Sequence, residues 1–346
     1  MGEEIRRLRI LVTGGQGFLG GNLVRALVGL GFSNVAATAR RKAPELEGLG
    51  IEVVGCDLCD REQVLAATGN RDIVFHTAAK AGVWGSEDSY YDINVKATEY
   101  LLEGAEQGGA THFIHTSTPS VTFQGGDSLK KDESAPYGKA PLNAYCKTKI
   151  DSERMVLDEK RGLQCLALRP HLIYGPGDPH LLPRVFEAAR SGRLVRVGDG
   201  LNKVDVTHIR DAVGSQLYAL TKLTQPEAWG EAYFITSGIP IRLWSWLAHI
   251  LQWNSLPGVR KSLSLKRASQ LGALLERVYD RLGKTNEPPL TEFSALQLGC
   301  HHTFSIEKAR HKLGYIPTVH PYADFDEQFH RGLDDWTCFR SLFSDS

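Results

Sequence analysis

Tyr145 and Lys149 stand four residues apart in NAYCKTKIDSE, a spacing that on a helix puts a phenol and an ammonium on one face, one turn apart. A phenol titrates near pH ~10 in water. At neutral pH it exchanges protons usefully with a substrate oxygen only where a neighbouring cation stabilises the phenolate. Lys149 is placed to be that cation, so the pair reads as a proton donor to a substrate oxygen. Alone, such a pair recurs by chance on many amphipathic helices, and its meaning depends on the elements that position it.

The start of the chain supplies them. Leu8 to Thr13 (LRILVT) reads as a buried strand, followed at once by Gly14-Gly15-Gln16-Gly17-Phe18-Leu19-Gly20 and then by the helical apolar pattern Leu19, Leu23, Leu27, Leu30. Gly14 permits a tight turn out of the strand, Gly17 lets the backbone approach a pyrophosphate, and Gly20 lets the helix pack closely on the sheet. The helix N-terminus then offers free N–H groups and a favourable dipole to phosphates. Strand, glycine turn and helix come in the order a dinucleotide site requires.

Short apolar strands alternate with helical stretches through LRILVT, NVAATA, IEVVG, DIVFH, THFIHT and LQCLALR. This predicts an α/β fold, a Rossmann-type doubly wound parallel sheet with ligands at the carboxyl ends of its strands. The glycine turn, His76-Thr77-Ala78-Ala79, Ser117-Thr118 and Arg169-Pro170-His171 all fall at such ends. After Tyr174-Gly175-Pro176-Gly177-Asp178 the alternation breaks, and the rest reads as irregular with helical patches.

With Gly14-x-x-Gly17-x-x-Gly20 and Tyr145-x-x-x-Lys149 together, the chain resembles the extended short-chain dehydrogenase/reductases, NAD(P)-dependent oxidoreductases of the epimerase/dehydratase and 3β-hydroxysteroid dehydrogenase type, from about Leu8 to at least Tyr315. The resemblance implies a catalytic hydroxyl at the end of the fifth strand. Counting back from Val121 in Ser117-Thr118-Pro119-Ser120-Val121 places it on Thr118, with Ser117 beside it as the fallback. It further implies a dinucleotide-binding unit over 1–175 with a return near 200–237, and a smaller, discontinuous C-terminal substrate-binding unit over 176–199 and 238–335. Asp57 and Leu58 match the adenine-side loop of the family, Ala78, Ala79 and Lys80 follow the fourth strand beside the cofactor, and Asn94 matches a position that props active-site backbone.

Cofactor choice is read at the end of the second strand, where an acid binds both ribose hydroxyls of NAD and arginine accommodates the 2′-phosphate of NADP. Val35-Ala36-Ala37-Thr38-Ala39 is followed by Arg40-Arg41-Lys42, with no carboxylate. NADP(H) is therefore expected, with NAD(H) as the second choice, and reduction as the working direction.

Composition excludes other classes. The chain has 346 residues, 42% of them hydrophobic, and its 40 basic and 40 acidic residues cancel, leaving no broad basic field for nucleic acid. MGEEIRRLRI has no signal-peptide core and no apolar run reaches a membrane span, so a cytoplasmic protein without a transmembrane segment is expected. Six scattered cysteines form no disulfide framework. Cys56-x-x-Cys59 lacks a second pair, and His301-His302 lacks acidic or thiolate company, so no metal is expected and the histidine pair is assigned to surface or pocket wall.

The substrate is read from loops. Trp84, in Lys80-Ala81-Gly82-Val83-Trp84-Gly85-Ser86, offers an apolar wall that suits a lipid better than a sugar nucleotide. Burial of the ring as a core cap is its other reading. A helix bearing Leu271, Leu274, Leu275, Val278 and Leu282 on one face reads as core packing, a lid, or a surface for partner or lipid. HTAAKAGVWGSEDSY, HTSTPSV, LRPHLIYGPGDPHLLPR and EPPLTEF look most like the 2-alkyl-3-oxoalkanoate reductases of bacterial long-chain olefin biosynthesis. The broader neighbours are 3β-hydroxysteroid and sterol-4α-carboxylate 3-dehydrogenases. The resemblance implies reduction of the 3-keto group of a long-chain, lipid-like β-keto acid, with Arg169, His171 and His180 as carboxylate candidates by location. A sugar-nucleotide epimerase wants the missing acid, a dehydratase wants acids after Thr118, and a non-catalytic NADP-binding scaffold tends to lose the Tyr or Lys. Oligomeric state stays open, with a homodimer and a complex with pathway enzymes as the partners considered.

Overall fold

A computed structural model describes residues 2–158, 162–323 and 335–344. Its centre is a seven-stranded sheet in the spatial order Glu231–Ile235, Gln164–Pro170, His112–Thr116, Ile73–His76, Ile10–Thr13, Val35–Ala39, Glu52–Gly55. Every neighbouring pair is parallel. The expected Rossmann-type parallel sheet is what forms.

Alternation along the strands explains why both faces are covered. Ile10 and Val12 enter one core with Ile73, Phe75, Ile114, Leu166 and Leu168. Leu11, Val74, Phe113 and Cys165, the residues between them, enter another. Successive side chains on a strand point to opposite faces, so an unbroken apolar strand must be buried twice over. The helices Phe18–Gly29 and Ile209–Leu220 fill the first face, and Arg61–Thr68 and Ala97–Gln107 the second.

Strand order reverses at Ile10–Thr13, which has Val35–Ala39 on one side and Ile73–His76 on the other. Chain connections diverge there and open a crevice at the carboxyl ends, where open α/β sheets bind ligands. The glycine turn and Ala78 both lie at that crevice.

The region read as irregular after Asp178 carries regular elements, some of them paired with strands from earlier in the chain. The strands Ile241–Arg242, Lys203–Val204, His302–Phe304 and Ser128–Lys131 form a second sheet. Thr207–His208 with Ile173–Tyr174 and Lys261–Leu263 with Val195–Val197 form two separate two-stranded sheets. These strands are two to four residues long, too short for periodicity to reveal. A third core containing Tyr174, Val204, Trp246 and Ile250 holds them together. Residues 324–334, within the segment assigned to substrate binding, lie outside the described residues. No helix among the described residues is long and apolar enough to cross a membrane.

Candidate active site

The glycine turn is packed to its limit at three points and open at a fourth. Gly14 has φ +69°, the left-handed region that glycine enters freely, and a Cβ there would lie 2.9 Å from the Ala78 Cα. A Cβ on Gly20 would lie 2.3 Å from the Gly14 carbonyl oxygen, and one on Gly15 2.7 Å from the Ala37 Cβ. Gln16 and Gly17, by contrast, are exposed. Gly17 begins the helix Phe18–Gly29 with no side-chain cap, leaving its first N–H groups for an anion. This geometry fits a pyrophosphate. Phe18 and Leu19 form the first helical turn behind it.

Arg40 follows the strand Val35–Ala39 directly and is exposed, as are Arg41 and Lys42. Its charge reaches the Cys59 thiol, which places it beside the Asp57-Leu58 loop. Asp57 folds that loop by accepting from the Cys59 N–H at 3.0 Å. Beyond the fourth strand, the Ala78 N–H donates to the Thr13 hydroxyl at 3.2 Å, Ala79 is exposed, and the Lys80 backbone is clamped by Asn94. The Asn94 Oδ1 accepts from the Lys80 N–H at 2.8 Å, and its Nδ2 donates to the Lys80 carbonyl at 3.1 Å and the Thr148 hydroxyl at 3.1 Å. Asn94 is buried in the wide turn Asp92–Lys96, a π-type distortion of the kind that often aims a functional side chain.

Tyr145 and Lys149 lie on the helix Ala144–Val156, whose N-terminus is capped by Asn143 accepting from the Cys146 N–H at 2.8 Å. The Thr118 hydroxyl lies close enough to the Tyr145 phenol to hold its pKa down against burial, whereas Ser117 is buried with its Oγ unpartnered. Of the two hydroxyls, the structure therefore sets Thr118 against the phenol. Thr118 also accepts from the Ser120 N–H at 3.3 Å, which fixes the turn that presents it.

The electrostatics correct one expectation. Burial pushes the Tyr145 phenol up to about 12, with the neighbouring Thr118 hydroxyl working against that rise. Lys149 is 2% exposed, and burial lowers its ammonium to about 8 while Glu153, one turn on, holds it up. Its Nζ donates to the Thr116 carbonyl at 2.8 Å and lies 3.1 Å from the His115 Nε2. The depression of the phenol expected from Lys149 is thus not what this arrangement produces. The ammonium is anchored on the fifth strand, because a buried cation must be hydrogen-bonded.

His115 and Glu153 were not picked out from the sequence. Burial holds the His115 imidazole well below its usual range, so it is neutral, and facing an ammonium its Nε2 must be the acceptor. The available signal was a histidine in each of two adjoining apolar strands, since His76 and His115 are in register. Glu153 is fully buried, accepts from Arg169 at 2.5 and 3.0 Å, and also from the Tyr137 hydroxyl at 2.9 Å.

That pairing occupies two of the three Arg169 nitrogens and leaves the buried Nη1 without a partner. His171 is buried against His302 and Phe304 with its Nε2 unpartnered. His180 is exposed at the start of the helix Leu181–Arg190. His302 is 2% exposed, so of the two readings, surface and pocket wall, only the second remains for it. Trp84 is half-buried; its Nε1 donates to the Lys284 carbonyl at 3.4 Å and its ring meets Tyr279 edge-on. Its carbonyl accepts from the Tyr90 hydroxyl, and the Tyr90 ring lies 6.4 Å from that of Tyr145. Phe123, Cys146, Phe293, Leu296 and Cys300 form a small apolar cluster against which Tyr145 and Val83 pack. All six cysteines are free, and among the described residues no group of three His, Cys, Asp or Glu side chains could hold a metal.

The model of the 3-beta hydroxysteroid dehydrogenase/isomerase family matches residues 11–266. The chain belongs to this family. Within reach of the same family are the 2-alkyl-3-oxoalkanoate reductases of Stenotrophomonas maltophilia, 43% identical with 90% of this chain and 96% of that protein covered, and of Shewanella oneidensis, 41% identical with 89% and 82% covered. The sterol-4-alpha-carboxylate 3-dehydrogenase, decarboxylating, of Mus musculus is 31% identical, with 89% and 86% covered. Among solved structures, MoeE5 in complex with UDP-glucose and NAD superposes with a TM-score of 0.70 at 25% identity, covering 96% of this chain and 99% of that one. As a 3-beta hydroxysteroid dehydrogenase/isomerase family member the chain is an NAD(P)-dependent oxidoreductase.

Proposed function

We propose that the chain reduces the 3-keto group of long-chain 2-alkyl-3-oxoalkanoic acids to the 3-hydroxy acid, with NADPH as reductant. The observation that carries this reading is the setting of Tyr145, which meets the Thr118 hydroxyl on one side and an apolar wall including Val83, Phe123, Phe293 and Leu296 on another. A hydroxylated sugar would lose its hydrogen bonds to water against such a wall, whereas an alkyl-bearing ketone would gain from contact with it. The names of the two most similar relatives described above point to the same substrate class.

The dinucleotide, when bound, supplies the hydride. Gly14, Gly17 and Gly20 would hold its pyrophosphate, Arg40 its 2′-phosphate, and the 78–80 backbone the half nearer the chemistry. Tyr145 gives its proton to the substrate oxygen as negative charge develops there. Thr118 orients that oxygen by a hydrogen bond. Lys149, one helical turn on and anchored by Thr116 and His115, would hold the nicotinamide ribose of the dinucleotide with its ammonium. In this reading residues 1–175 with a return near 200–237 carry the cofactor, and 176–199 with 238–335 carry the substrate.

The test is to follow NADPH and NADH oxidation with a long-chain 2-alkyl-3-oxo acid beside a 3-ketosteroid. Turnover of the acid, faster with NADPH, is expected. Turnover of the steroid alone would move the assignment to sterol 3-dehydrogenation, which the Mus musculus relative favours as the second reading.

A further inference from the structure

The helix Leu265–Arg281 has two apolar faces that the sequence pattern merges. One is ordinary packing. Ala268 and Gly272 are buried, and a Cβ on Gly272 would lie 2.4 Å from the Thr291 backbone at the start of the helix Glu292–Gly299. The other face is uncovered. Leu271, Leu274, Val278 and the C-cap Leu282 are 42%, 54%, 41% and 63% exposed. At about 100° per residue these four fall within an arc of roughly 80°, so they make one continuous ridge rather than scattered surface residues. Single exposed leucines need no explanation, but a row of four does.

The charge around the ridge is as unequal as its polarity. Residues 260–284 hold seven basic side chains against two acidic ones, in a chain whose 40 basic and 40 acidic residues balance overall. The same helical arithmetic sets Lys266, Arg267, Arg277 and Arg281 along the solvent side of the ridge, and all four are exposed. Glu276 falls on the side nearer the packed face, where it accepts from the Glu292 N–H at 3.1 Å, and Asp280 is exposed on the face turned away from the ridge. The end of the ridge is tied to the candidate active site, because Trp84 reaches the Lys284 carbonyl and Tyr279.

We propose that this ridge is a membrane-contact surface, with the helix lying in the plane of an anionic bilayer, its four apolar side chains in the headgroup and acyl boundary and its flanking cations on lipid phosphates. An amphipathic helix with a basic border binds in that manner, and the charge complementarity names the anionic lipid. The helix is too charged to span. The proposal stands apart from the substrate reading, since exposure and charge here do not depend on what Tyr145 protonates.

The test uses the full chain in co-sedimentation with large unilamellar vesicles of phosphatidylcholine alone or mixed three to one with phosphatidylglycerol. Sedimentation with the mixed vesicles, weakening as salt is raised, is expected. The double variant Arg277→Gln/Arg281→Gln should partition roughly 30-fold more weakly, at about fivefold for each charge. The double variant Leu274→Ser/Val278→Ser should stay in the supernatant while keeping its circular dichroism and melting temperature, because both side chains are exposed. Equal sedimentation of all three proteins, or none with either vesicle, overturns the proposal. So does light scattering that finds a dimer which the serine variant dissociates while the wild type ignores vesicles, since the ridge would then join two copies of the chain.

Discussion

Replacing Glu153 by Gln should destabilise the protein far more than a surface change would. The Arg169 and Glu153 side chains are 4% and 0% exposed, joined by two hydrogen bonds, with Tyr137 on the same carboxylate. Glu153→Gln leaves the guanidinium buried without its counter-charge, a situation that costs about 3–5 kcal/mol. At roughly 2 °C for each kcal/mol in a chain of this size, the melting temperature should fall by roughly 6–10 °C. The loss belongs to the stranded cation and not to the pair as such. Glu153→Gln/Arg169→Met should therefore recover at least half of it, because an apolar side chain can fill the place of a buried pair at little cost. Thermal and urea unfolding of the wild type, the single and the double variant measure this. A single variant within about 1 kcal/mol of wild type, or a double variant no more stable than the single, would refute the reasoning.

Three other outcomes follow from the same site. Lys149 keeps its charge only below about pH 8, so if the ammonium supports proton donation, kcat for reduction should hold below that pH and fall as pH rises through it, read from a pH profile. The sign for stability is opposite: a base whose folded pKa is depressed leaves the folded state with fewer protons between about 8 and 10.5, so the burial penalty of about 3 kcal/mol present below pH 8 is relieved across that window. His115→Phe removes an acceptor from that ammonium and should move the alkaline limb down by roughly one to two pH units, from about 1.5–3 kcal/mol for a charged hydrogen bond, while His115→Gln moves it less. Gly20→Ala drives a Cβ into the Gly14 carbonyl, and should lower stability by about 1–3 kcal/mol and weaken dinucleotide binding in fluorescence titration.

The fold was legible because its signals are long or chemically singular. Six apolar runs became strands of one sheet, since a strand buried on both faces cannot hide its composition. Gly14 and Gly20 were readable because each does something only glycine can do, one by a positive φ and the other by close approach to the turn. The spacing of Tyr145 and Lys149 fits the helix Ala144–Val156, but took its meaning from the glycine turn at the start of the chain. What escaped was set by contacts distant in sequence: His115 beside Lys149 across 34 positions, Glu153 beside Arg169 across 16. No periodicity reports where a buried charge finds its partner. Arg169 was read as a ligand-binding group because its place at a strand end was visible and its carboxylate was not. The small sheet through Ser128–Lys131 and His302–Phe304 escaped because pairings of two to four residues leave no pattern.

The proton-donor role of Tyr145 is the centre of the account, and single-turnover reduction of a long-chain 2-alkyl-3-oxo acid by Tyr145→Phe tests it most directly. Phenylalanine keeps the ring against Phe123 and Leu296 and removes only the hydroxyl that meets Thr118. The account predicts a rate roughly 10²–10⁴-fold below wild type, with dinucleotide binding retained. A rate within about threefold of wild type would contradict it.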